Sequence, residues 1–143
     1  MKIITYPDPI LEKKAKKIKN PIDKEIQELI EKMFETMRKN NGVGLAAPQI
    51  GKSIQLCIIE EDGKKYILIN PKITSSSRDF EIKEEGCLSF PGKFIPVKRH
   101  SRVTVRCLNE KGERCKIKAR DLLARALQHE IDHLSGELFI NKK

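Results

Sequence analysis

Two stretches with helical spacing lie in the first and last parts of the chain, and nearly everything between them has strand spacing. Ile26, Leu29, Ile30, Met33, Phe34 and Met37 recur every three or four positions, which sets them on one stripe of a helix facing a core. Asn20-Pro21-Ile22-Asp23 supplies capping and first-turn residues for that helix, and Asn40-Asn41-Gly42 ends it just after Lys39. A second helix is predicted over 122–134, stopped by Ser135-Gly136, where glycine takes the left-handed cap. Between them, β-rich runs at 55–59 and 66–69 are joined by the turn Glu61-Asp62-Gly63-Lys64. Ser75-Ser76-Ser77 reads as a short polar loop or bulge. Alternation resumes at Phe80 and Ile82 and leads towards Gly86; then come 93–97 and a hairpin of 102–108 with 114–119. The strands are grouped between the two helices without βαβ alternation, which favours α+β over a doubly wound sheet. The pattern predicts an α+β fold with an N-terminal amphipathic helix, and 143 residues suit a single domain spanning 1–143.

No apolar run approaches the ~20 residues needed to cross a bilayer. The opening MKIITYPDPI has neither a secretory nor a transit pattern, so the expectation is a cytoplasmic protein with no membrane partner. The 29 Lys and Arg against 20 Asp and Glu leave a net charge of +9, which attracts polyanions without choosing among them. Much of that charge lies in 13–19 and in the C-terminal half, without the interleaved aromatics of a base-stacking surface, so no specific nucleic acid is predicted. Cys57, Cys87, Cys107 and Cys115 are too few and too irregular for a disulfide framework, and reduced thiols are expected. Cys107 and Cys115 flank the turn at 109–112 and are placed to face one another across a hairpin.

The second predicted helix carries His129-Glu130-Ile131-Asp132-His133. At about 3.6 residues per turn, His129 and His133 project from one face and can reach one cation. Glu130 is turned about 100° away, outside the ligand set but near enough to serve as a general base, as in helical zinc hydrolases. A catalytic metal needs a third protein ligand and an open position. Cys87 is the best candidate, because the preceding Gly86 lets backbone approach closely. Gly42 to Gln49 is a run of small residues that lets a bound peptide approach the main chain, and the Gln49 amide can donate to a developing oxyanion. Taken alone, this run reads as a tight turn.

These three segments, in this order, resemble the signature motifs of the peptide deformylase family: GxGxAAxQ at 42–49, EGCLS at 85–89 and HExDH at 129–133. The likeness extends through Tyr6-Pro7-Asp8-Pro9, Met33-Phe34-Glu35-Thr36-Met37 and Leu122-Leu123-Ala124-Arg125, so it covers nearly the whole chain. It implies antiparallel sheets packed around a central metal-binding helix. The activity implied is removal of the formyl group from N-formylmethionyl nascent peptides, with release of formate. By the same resemblance Cys87, His129 and His133 hold one divalent metal, Fe(II) in the cell, with Zn(II), Ni(II) or Co(II) as substitutes. Glu130 is then the general acid and base, and Gln49 with the Leu88 N–H forms the oxyanion hole. Gly42, Val43, Gly44 and Gly86 lie along the peptide main chain, while Leu122 and Ala126, with Val43 and His129, take the methionine side chain. Arg99 is expected to meet Asp132 and steady the metal-bearing helix.

Two features depart from that pattern. Asp121 stands where the family usually has glycine, and the chain ends at Lys143, where bacterial members often continue into a further helix. Catalysis is expected to survive both, whereas ribosome docking through such a helix is not transferred; only weak attraction to ribosomal RNA is expected. Two rival readings are a helical zinc endopeptidase and a basic RNA-binding module with a structural metal site. The first lacks a downstream ligand, since Glu137 lies too near His133. The second makes Glu130 dispensable.

Overall fold

The computed structural model describes residues 1–142. Helix α1 (Lys24–Lys39) begins where the Asp23 carboxylate accepts from Glu25 N–H at 3.0 Å, the cap expected from sequence. The strands are β1 (Gly44–Ala46), β2 (Leu56–Glu61), β3 (Lys64–Ser76), β4 (Phe80–Cys87), β5 (Phe90–His100), β6 (Arg102–Leu108) and β7 (Arg114–Arg120). Helix α2 (Asp121–Leu134) follows β7 directly. One five-stranded sheet has the order β1-β2-β3-β6-β7, and β4 pairs with β5 in a second sheet. Every pairing between these strands is antiparallel.

Strand β2 explains how two helices share one sheet. Leu56 and Ile58 pack with Met33 and Phe34 of α1, whereas Cys57 and Ile59 point to the opposite face and pack with Ala124 and Leu127 of α2. A third cluster, with Leu11, Phe90, Val97, Leu138 and Phe139, ties the chain ends to β5. Helix α2 is thereby held between the two sheets.

Three local expectations are corrected. Residues 42–49 form β1 and a 3₁₀ turn (Ala47–Ile50) rather than a tight turn; Leu45 opposite Ile58 supplies the pairing that so short a run could not announce. Ser75 and Ser76 lie inside β3, with the bulge just before them, between Ile73 and Ser75. Strand β5 outruns 93–97 at both ends, because Gly86 pairs with Phe94 and Cys87 with Phe90, leaving residues 91–93 bulged out.

Asp121 has φ = 56°, a left-handed conformation that disfavours residues with a Cβ, which accounts for glycine at this point in the family pattern. Its carboxylate in the first turn of α2 offsets part of the strain. Asp121→Gly is therefore expected to hold or raise stability, by up to about 1 kcal/mol, and Asp121→Ala to lower it by a similar amount. Urea unfolding of the two variants reads the opposite signs.

Candidate metal and catalytic centre

The i, i+4 spacing on α2 turns His129 and His133 towards the end of β4, where the register shift at Gly86 delivers Cys87. The Cys87 sulfur and one nitrogen from each ring lie within 4.8 Å of one another. Cys87 Sγ is 3.4 Å from His133 Nε2. His129 Nδ1 meets Glu85 Oε1 at 2.9 Å, which fixes that ring and leaves Nε2 free. One thiol and two imidazoles, with no other His, Cys or acidic side chain joining the cluster among the described residues, suit a divalent transition metal that keeps an open position. The electrostatics agree. Burial alone would lower the pKa of His129, but the Cys87 sulfur and the Glu85 carboxylate outweigh it and raise it to about 10, so this corner attracts a cation. Burial holds His133 well below its ordinary value, keeping its ring neutral and able to ligate.

Glu130 is buried, and desolvation raises it to about 7 against the opposing pull of His129 and Arg99. Its Oε1 has no hydrogen-bond partner among the described residues. A Cβ on Gly44 would stand 2.6 Å from Glu130 Oε2 and 3.0 Å from its Cγ, so glycine in β1 is what lets the carboxylate lie against the strand. Gly44→Ala is expected to displace Glu130 and cut turnover at least about 10-fold, with metal content and unfolding midpoint little changed. Steady-state rates beside metal analysis check this.

The Gln49 amide is oriented from three sides. Its Oε1 accepts from Ala46 N–H at 2.9 Å, and its Nε2 donates to Ser89 Oγ at 3.1 Å and faces Cys87 Sγ at 3.6 Å. Ser89 Oγ donates in turn to the Ile4 carbonyl at 2.7 Å, so the N-terminal segment steadies the amide. An open cleft of about 660 Å³ runs past this centre. It is lined by Gly42, Val43, Gly44, Gln49, Gly86, Cys87, Leu88, Leu122, Ala126, His129 and Glu130, so nearly all of the residues singled out from sequence meet here. His133 completes the metal cluster behind it, and Arg99 reaches Asp132 at 2.6 Å, as expected.

The family model described as polypeptide deformylase matches residues 1–143. The chain belongs to the polypeptide deformylase family. A peptide deformylase of Natranaerobius thermophilus is 48% identical over 142 residues, covering 99% of this chain and 90% of that one. The solved peptide deformylase of Thermotoga maritima superposes with a TM-score of 0.96 at 39% identity, covering 99% of this chain and 95% of that one. A Synechococcus elongatus peptide deformylase solved in complex with actinonin gives 0.96 at 40% identity, over 99% of this chain and 78% of that one. The family is metal-dependent, and the Cys87, His129 and His133 cluster is where this member could bind its ion.

Sequence reasoning missed what supports the deformylase centre from behind. Glu85 accepts from Arg99 through Nε (2.9 Å) and a terminal nitrogen (3.0 Å), and from Arg125 at 2.6 Å, while also holding His129. Arg125 further donates to the carbonyls of Val97 and Glu81. Burial by itself would raise Glu85, but His129 and Arg99 hold it down at about 2. The signals were there. Glu85 lies two residues before Cys87 on one strand, hence on the same side, and Arg125 lies one helical turn before His129. Ser89 had no such periodic cue.

Proposed function

We propose that this chain removes the formyl group from N-formylmethionyl peptides of newly made proteins, releasing formate and a free N-terminal methionine, through a single catalytic domain spanning 1–143. The observation that carries this reading is the cluster of half-buried Cys87 with buried His129 and His133, with Glu130 beside it, set against an open cleft. Fe(II) is the ion we assign in the cell, with Zn(II), Ni(II) or Co(II) able to replace it, since a thiolate and two imidazoles accept all four. When bound, such a cation supplies Lewis acidity, which makes water a nucleophile near neutral pH and polarises a carbonyl.

The remaining work falls to side chains. Strands β1 and β4 stand at sheet edges on either side of the cleft, so an extended peptide can lie between them and borrow their main-chain groups. The Val43 carbonyl already accepts from Glu60 N–H at 2.9 Å, so this residue meets a peptide through its N–H. Gly42, Gly44 and Gly86 leave room for close approach, and Leu122 and Ala126 offer apolar wall to a methionine side chain. Glu130 takes a proton from the attacking water and returns it to the departing amine. Charge gathering on the former formyl oxygen is met by the Leu88 N–H and by the Gln49 N–H that Ser89 does not hold.

A cytoplasmic site of action suits such substrates, and no helix among the described residues is long and apolar enough to cross a membrane. The test is anaerobic preparation with Fe(II), followed by amine release from formyl-Met-Ala and acetyl-Met-Ala. Release from the formyl peptide alone is expected. Equal release from both, or none from correctly metallated protein, removes the reading.

A further inference from the structure

The face of β6 and β7 that turns away from α2 carries six cations at its eight outward positions, Arg114 among them; the other two are Thr104 and Leu108. Val103, Val105 and Ala119 point inward and pack with Ala124 and Leu127, so Arg102, Arg106, Lys116, Lys118 and Arg120 point outward and are exposed. Strand pairing sets them directly against one another: Arg106 stands opposite Lys116 on one side and Lys72 on the other, and Arg102 stands opposite Arg120. Neither β6 nor β7 contains an acidic residue. Lys72, Arg106, Lys116 and Lys118 have no ion-pair partner among the described residues. Arg102 and Arg120 reach only the exposed carboxylates of Asp79 and Asp121, at 3.6 and 3.9 Å. Like charges directly opposite destabilise a sheet. Lysines on the edge strand β7 also deter edge-to-edge aggregation, but that explains neither Arg102 and Arg106 on β6 nor Lys72 on β3, which are interior strands.

We propose that this face docks the phosphate backbone of double-stranded RNA. Successive outward residues along a strand are about 6.8 Å apart and neighbouring strands about 4.8 Å apart, which gives a closely spaced grid of charge suited to rows of phosphates. Ser75 and Thr104, opposite one another, border a shallow hollow of about 460 Å³ together with Arg102, Lys118 and Arg120, adding hydroxyl donors to the cations. The exposed cationic rows include no aromatic side chain on which single-stranded bases could stack, and they present no broad apolar stripe to enter a lipid surface. A-form duplexes are recognised by shape and by phosphate contacts, without base readout. The choice of RNA among polyanions rests on the deformylase reading, because nascent peptides emerge from a machine built largely of RNA. Docking here leaves the catalytic cleft open, since α2 and its histidines lie against the opposite face of the sheet.

Equilibrium binding of the whole chain to a fluorescent 20-base-pair RNA duplex across a salt series tests this. The expected slope of log affinity against log salt is about −4 to −6, and the triple variant Arg106→Gln, Lys116→Gln, Lys118→Gln should reduce it by about 2–3 and weaken binding at least 10-fold. A control triple, Lys14→Gln, Lys17→Gln, Lys19→Gln, should stay within about 2-fold of the parent. Both triples should keep full rates on formyl-Met-Ala, and the first should melt no lower than the parent because like-charge repulsion is relieved. Equal losses in the two triples would show binding through net charge alone and overturn the proposal. So would tighter binding to phosphatidylserine vesicles, polyglutamate or duplex DNA. Failure of the formyl assay instead would strike the catalytic reading and leave the binding result to stand by itself.

Discussion

Glu130→Gln is expected to lower kcat/KM on a formylated peptide roughly 100- to 10,000-fold, with metal content and melting temperature held or slightly raised. The amide has the same shape, so it can occupy the space that Gly44 leaves open against β1. What it loses is the ability to accept a proton. The parent carboxylate has an unpaired Oε1 and is raised to about 7, chiefly by burial, so its charged form is poorly stabilised by the fold. Removing that charge should not weaken the folded state. Metal analysis alongside single-turnover rates separates the two effects. Full activity in a correctly loaded Glu130→Gln protein would favour a merely structural metal site, the alternative in which this residue is dispensable.

The second large effect lies on stability. Glu85→Gln should cost about 3–5 kcal/mol, because it removes the carboxylate that two buried guanidiniums share, leaving Arg99 only Asp132 and Arg125 no counter-charge, while loosening His129. Glu85 is 7% exposed and Arg99 4%, so water offers little compensation. The pH dependence follows from the sign of the shift. Glu85 sits at about 2 in the folded chain against an ordinary 4.5, so its stabilisation is complete above about 5 and is lost as pH falls from 4.5 towards 2. Urea midpoints for parent and variant should therefore lie far apart at pH 7 and converge below pH 4. A gap that stayed constant with pH would remove the ion-pair explanation.

Much of this was legible in the residues. The stripe from Ile26 to Met37 marked α1 because burial on one face imposes a helical period, and His129 with His133 marked a metal edge because four residues span just over one turn. The joining of Cys87 to that edge was foreseeable only as chemistry, since it depends on a register shift between β4 and β5 that the sequence does not display. Gly44 to Ala46 hid a strand because three residues are too few to show alternation, and the reason for glycine at 44 became clear only when Glu130 was found against it. Asp121 was noticed as a departure, but its left-handed backbone was not. Ser89 acts through the distant Ile4 carbonyl, a tertiary contact with no local pattern. Cys107 and Cys115 do face each other as expected, with sulfurs 3.1 Å apart and both thiols free.

X-ray absorption at the metal edge, on protein loaded anaerobically with one equivalent of Fe(II) or Zn(II), tests the centre most directly. One sulfur and two imidazole nitrogens are predicted in the coordination shell, with a remaining light-atom ligand that exchanges with solvent, and the sulfur should vanish in Cys87→Ala. A shell with no sulfur, or one that keeps its sulfur when Cys87 is gone, would contradict the account.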